Sequence, residues 1–118
     1  MLSAEDFRDL ALNLLESEEV ETWGHPTFRV RDKMFAAMDS DGHRATVKAT
    51  PQEQEALIAA APEVYAVADY VGRYGWVSVD LRAADPEEIA ELVREAWRRT
   101  APKRLVNMHD AAGSRSAQ

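Results

Sequence analysis

Between residues 27 and 49 two runs of apolar residues recurring with a period of two flank a short continuous apolar run, a pattern that calls for strands rather than helices. In Thr27–Arg31, Phe28 and Val30 share one face while Arg29 and Arg31 share the other. Asp32-Lys33 reads as a tight turn, and Met34–Met38 as a short apolar strand. Asp39-Ser40-Asp41-Gly42 is a strong turn signal, because Asp, Ser and Gly each stabilise turn backbone by a different route. Arg44–Ala49 alternates again, with Arg44, Thr46 and Lys48 on one face. Three short strands joined by short connections predict antiparallel pairing. One face of that sheet must then be covered.

Helices supply the cover. Ser3 is a good N-cap, with Asp6 in the first turn, and Phe7, Leu10, Ala11, Leu14 and Leu15 form one stripe that predicts a helix to about Ser17. Thr50-Pro51-Gln52-Glu53 opens a second helix with a cap, a proline at the first position and a capping-box glutamate, and Pro62 stops it. Asp85-Pro86-Glu87-Glu88 repeats that logic ahead of the stripe Ile89, Leu92, Val93, Ala96 and Trp97. Residues 63–71 are ambiguous, with 64–68 reading as either a strand or part of an irregular loop, and Trp76–Leu81 reads as a strand. The order is α-β-β-β-α-(β)-β-α, and the fold class that follows is α+β: a two-layer sandwich with a mostly antiparallel sheet packed against N- and C-terminal amphipathic helices. Residues 1–108 form a single domain in this reading, and residues 109–118 a flexible tail.

The charge is uneven. The net value is −7, yet residues 1–21 hold seven acids against one base, while the middle of the chain carries Arg29, Arg31, Lys33, Arg44 and Lys48. No run approaches the roughly 18 apolar residues that a membrane-spanning helix needs. An acidic N-terminus that turns at once into a helix does not read as a secretory signal, so a cytoplasmic location is expected. With no cysteine, disulfides, thiolate chemistry and Cys-ligated metal sites are excluded.

Five motifs share an order with a known family: Trp23-Gly-His-Pro-Thr-Phe28, Lys33-Met-Phe-Ala36, Val47-Lys-Ala49, Tyr74-Gly-Trp-Val77 and Trp97-Arg-Arg-Thr-Ala-Pro-Lys-Arg-Leu105. On these residues the chain resembles the MmcQ/YjbR family of small bacterial-type domains, over nearly its whole length. The resemblance implies a CyaY-like (frataxin-like) sandwich and a "double wing" arrangement of sheet and hairpins of the kind proposed to bind DNA. At one place the chain departs from the expected pattern: a glycine is expected before the turn lysine, and Asp32 stands there. Aspartate tolerates left-handed backbone, so the turn is expected to survive.

The chemistry is sparse. There is no Gly-x-Ser-x-Gly, no histidine–acid pair at a telling spacing and no phosphate-cradling glycine loop, so the chain does not read as an enzyme, and no cofactor or metal is expected. The leading reading is a binding module for duplex DNA, with Arg29, Arg31, Lys33, Arg44 and Lys48 meeting phosphates and Arg98, Arg99, Lys103 and Arg104 extending the surface. The bland alternative is a solvated sheet face. A second reading is a protein- or small-ligand-binding cleft near Trp23, His25 and Trp76, although His25 also suits a structural hydrogen bond, and Trp76 and Trp97 suit the core. A third, implied by the frataxin-like resemblance, is iron on Glu16, Glu18, Glu19 and Glu21 at the end of helix 1, against the plain reading of a solvated helix end. His43 reads as solvated and His109 as tail. A monomer is assumed, and no membrane partner is expected.

Overall fold

The β-period runs become neighbouring strands, as antiparallel pairing requires. The computed structural model describes residues 2–116, with side chains described as far as Ala111. In chain order the elements are α1 (Ala4–Leu12), β1 (Ser17–Thr22), β2 (His25–Val30), β3 (Lys33–Met38), β4 (Arg44–Val47), α2 (Pro51–Ala60), β5 (Tyr65–Val67), a 3-10 turn (Gly72–Tyr74), β6 (Val77–Asp80), α3 (Pro86–Thr100) and α4 (Lys103–Ser116). The six strands lie in the order β1-β2-β3-β4-β6-β5, every pair antiparallel. The α+β sandwich expected from the sequence is the fold observed.

The helix starts form as their residues dictate. Ser3 Oγ accepts from Asp6 N–H and Asp6 Oδ2 accepts from Ser3 N–H, each at 3.1 Å, closing a capping box. Thr50 and Asp85 cap α2 and α3 through Glu53 N–H and Glu87 N–H, with Pro51 and Pro86 at the first helical positions. The glutamates expected to complete these caps serve elsewhere: Glu53 pairs with Arg99 at 3.1 Å, and Glu88 accepts the Tyr65 hydroxyl. The predicted stripe of α3 is buried throughout.

Its cover is the sheet face formed by Phe28, Ala36, Val47 and Val77, which lie opposite one another in register, together with Val30, Met38, Ala45 and Val79. Phe7 of α1 meets Phe28 edge to face at 5.8 Å. Trp97 is 0% exposed and its indole N–H donates to Leu15 O at 3.0 Å, so its polar edge is satisfied inside the core. In β3, Phe28 pairs with Ala36 and Arg29 with Met34, which leaves Phe35 as a bulged extra residue. Phe35 and Ala36 are therefore both buried, and the Phe35 carbonyl accepts from Lys48 N–H.

Four expectations are corrected. Helix 1 ends at Leu12, and Ser17–Thr22 is a strand that pairs over its full length with β2; Glu16, in left-handed backbone at φ 55°, turns the chain into it. The β2–β3 turn is centred on Arg31-Asp32, at φ 50° and 66°, one residue earlier than Asp32-Lys33. Residues 103–116, read as a short extension and a tail, are one helix. Its His109 lies against Trp97 with ring centroids 5.1 Å apart, and residues 117 and 118 of the expected tail lie outside the described residues.

Candidate functional site

Helices cover only one side of the sheet. On the other side a single row crosses all six strands in register: Val20, Thr27, Ala37, Thr46, Ser78 and Ala66. Thr27, Ala37, Thr46, Ser78 and Ala66 are small, and they form the floor of a groove of about 760 Å³. Trp23, at the tip of the β1–β2 hairpin, and Tyr70, between β5 and the 3-10 turn, line it, and each is 96% exposed. His25 and Arg44 line it as well. Trp76 does not: it is 8% exposed, and the cleft expected near Trp23, His25 and Trp76 holds the first two only.

The five basic residues singled out from the sequence separate into two places. Arg44 lies over the groove floor, its Nε and Nη2 donating to Ser78 Oγ at 3.2 and 3.0 Å. Arg29 shares the open face and donates to Thr27 Oγ1, Thr22 Oγ1 and the Asp32 carbonyl. Neither guanidinium has a carboxylate at ion-pair distance among the described residues. Arg31 does not share that face. It sits in the turn and forks onto Glu16 at 2.5 and 3.1 Å, which holds the Glu16 carboxyl below the usual range. Lys33 is exposed at the start of β3.

Lys48 also leaves the face expected for it, because β4 ends at Val47. Its ammonium turns towards the helix layer and donates to Thr100 Oγ1 at 3.2 Å. Burial, first, and then the neighbouring charges of Lys33 and Arg99 push the Lys48 pKa down. The end of the molecule around the β2–β3 turn and the α3 C-terminus thus gathers Lys33, Lys48 and Arg99, with Arg31 and Arg104 beside Glu16. Of the helical basic patch, Arg99, paired with Glu53, and Arg104 join this end, whereas Arg98 is held by Asp110 and Glu95.

The acidic run disperses in the same way. Glu16 belongs to Arg31 and Glu19 to Arg8 at 2.7 Å, while Glu18, Glu19 and Glu21 lie on β1 rather than on a helix. No group of three or more His, Asp or Glu side chains is placed to hold a metal ion among the described residues. A second cavity, about 670 Å³, opens between α1, α3 and α4 and is lined by Asp9, Asn13, Arg94 and His109. No described helix is long and apolar enough to cross a membrane. Sequence reasoning missed Tyr70, whose only signal was an aromatic residue in an ambiguous segment.

Comparison with known proteins agrees with this architecture. A family model described as YjbR matches residues 12–99. The chain is also similar to the crystal structure of protein DR2400 of Deinococcus radiodurans, which carries the domain DUF419, with 26% identity, a TM-score of 0.75, and coverage of 82% of this chain and 77% of that one. No curated protein matches the chain.

Proposed function

The chain belongs to the YjbR family, and from that premise we propose that it is a binding domain rather than an enzyme, one that holds duplex DNA by its phosphates at the end of the molecule around Lys33 and Lys48. The observation that carries this reading is the state of Lys48. A half-buried ammonium whose side-chain partner is a threonine hydroxyl, beside Lys33 and a Glu53-paired Arg99, gains from a nearby anion. Phosphate oxygens supply that anion. Arg31 and Arg104 widen the surface, although Glu16 neutralises part of it. A protein of net charge −7 repels nucleic acid over most of its surface, so contact is confined to this end. A binding role also suits the histidines, which sit on the groove rim (His25), in a turn beside Asp41 (His43) and against Trp97 (His109), on three separate parts of the fold.

The test is fluorescence anisotropy of a labelled random-sequence duplex at several salt concentrations. Three phosphate contacts predict a slope of log K against log salt of roughly −2.7, at about −0.9 per contact. A Lys33→Glu, Lys48→Gln variant that melts like the parent should lose about two-thirds of that slope. No binding at low salt, or unchanged binding by the variant, ends the duplex reading.

A further inference from the structure

The open-face groove combines three features that folding alone does not call for. First, its two aromatic walls are costly where they stand. Trp23 at φ 51° and Gly24 at φ 80° are the two central residues of the β1–β2 hairpin, a turn that favours Asn-Gly. Tyr70 is also left-handed, at φ 61°. For a bulky L-residue such backbone is a genuine outlier, and at 96% exposure neither ring recovers the cost by packing. Second, the floor is small on each of five strands, whereas the corresponding row on the helix side is Phe28, Ala36, Val47 and Val77. Third, Arg44 lies half-buried on that floor against Ser78, with no carboxylate at ion-pair distance among the described residues. The nearby Asp80 is taken by Arg82 at 3.3 Å.

We propose that this groove binds a small planar aromatic molecule carrying one anionic group, its ring against Trp23 and Tyr70 and its acid on the Arg44 guanidinium. The volume, about 760 Å³, lies in the range of roughly 300–1,000 Å³ typical of small-ligand sites. Aromatic walls bind flat rings through area and stacking. A guanidinium presents paired N–H donors to a carboxylate, sulfonate or phosphate. Asp39 and Asp69 also line the groove, and two carboxylates there repel a polyanion, which limits the ligand to a single acidic group beside Arg44. The site is separate from the Lys33–Lys48 end and does not depend on the duplex reading.

The test is a titration of ¹⁵N-labelled protein with 1-anilinonaphthalene-8-sulfonate, two aromatic ring systems and one sulfonate, beside its uncharged counterpart N-phenyl-1-naphthylamine. Saturable shifts are expected at the Trp23 indole N–H and the Arg44 Nε–H, with the Trp97 indole unmoved. The sulfonate should bind about tenfold more tightly than the neutral probe. Arg44→Gln should erase that advantage without changing the neutral probe's affinity, and Arg44→Lys should restore part of it. Trp23→Asn should weaken both probes. The Lys33→Glu, Lys48→Gln variant should bind both like the parent, which separates this result from the fate of the duplex reading. Equal affinity for the two probes, an Arg44→Gln variant that keeps the sulfonate advantage, or shifts that never saturate would overturn the proposal.

Discussion

Replacing Trp23 by asparagine should stabilise the protein while removing one wall of its groove. A side chain with a Cβ in left-handed backbone costs roughly 1–2 kcal/mol, and asparagine is among the residues that relieve this by local hydrogen bonding. Trp23 stands at φ 51°, directly before Gly24 at φ 80°, so the substitution creates the Asn-Gly pair that such a hairpin turn favours. Against this gain stands the burial that is lost. At 96% exposure the indole hides only some 10 Å² of its surface, worth about 0.2 kcal/mol at ~25 cal/mol per Å². The net expectation is a gain of about 1 kcal/mol, or a rise in Tm of about 4 °C for a domain of this size. Urea unfolding followed by far-UV circular dichroism measures it without relying on the tryptophan that has been removed. A loss of about 0.5 kcal/mol or more would refute the reasoning, because it would mean that the indole packs against the protein in solution. A gain accompanied by weaker binding in the groove would place Trp23 among residues kept for function at the expense of stability.

Trp97→Phe should act in the opposite sense: it leaves a void at a fully buried site and orphans the Leu15 carbonyl, so a loss of about 2–3 kcal/mol is expected in the same urea experiment, and a loss below about 1 kcal/mol would contradict the packing described. Tyr65 gives a pH signature. Burial, and then its hydrogen bond to Glu88, raise its pKa above the ordinary value of about 10, so the folded chain keeps the phenol proton after the unfolded chain has lost it. That contribution is complete below pH 10 and fades as the pH rises from there towards the folded value, so the stability of the parent should fall more steeply above pH 10 than that of Tyr65→Phe; parallel curves would show that the phenol does not titrate differently on folding.

Much of the architecture is written in local patterns. Ser3, Thr50 and Asp85 mark three helix starts, and the stripe from Ile89 to Trp97 marks the face that α3 buries, because caps and amphipathic stripes involve residues at most a few positions apart. The alternation around Phe28, Val30, Ala45 and Val47 likewise identifies the inward face of β2 and β4. The glutamate-rich segment 17–22 defeats the same reasoning. It is an edge strand with most side chains in water, stabilised chiefly by backbone pairing with β2, and so it shows no apolar period.

What the sequence by itself determined is the α+β class, the apolar stripes of α1 and α3 and the two features that matter most in the groove, an aromatic residue beside a Gly and an arginine on an alternating strand. The tertiary structure decided which of those residues meet. Lys48 parts from Arg44 because β4 stops at Val47, and Trp76 parts from Trp23 because it faces the interior. The groove floor draws Thr27, Ala37, Thr46, Ser78 and Ala66 from five strands, and they adjoin only through the register of four strand pairs. Periodicity is set by the geometry of one strand or helix, whereas register depends on turns, on the bulge at Phe35 and on the packing of the whole sheet, so no local stretch of chain contains it.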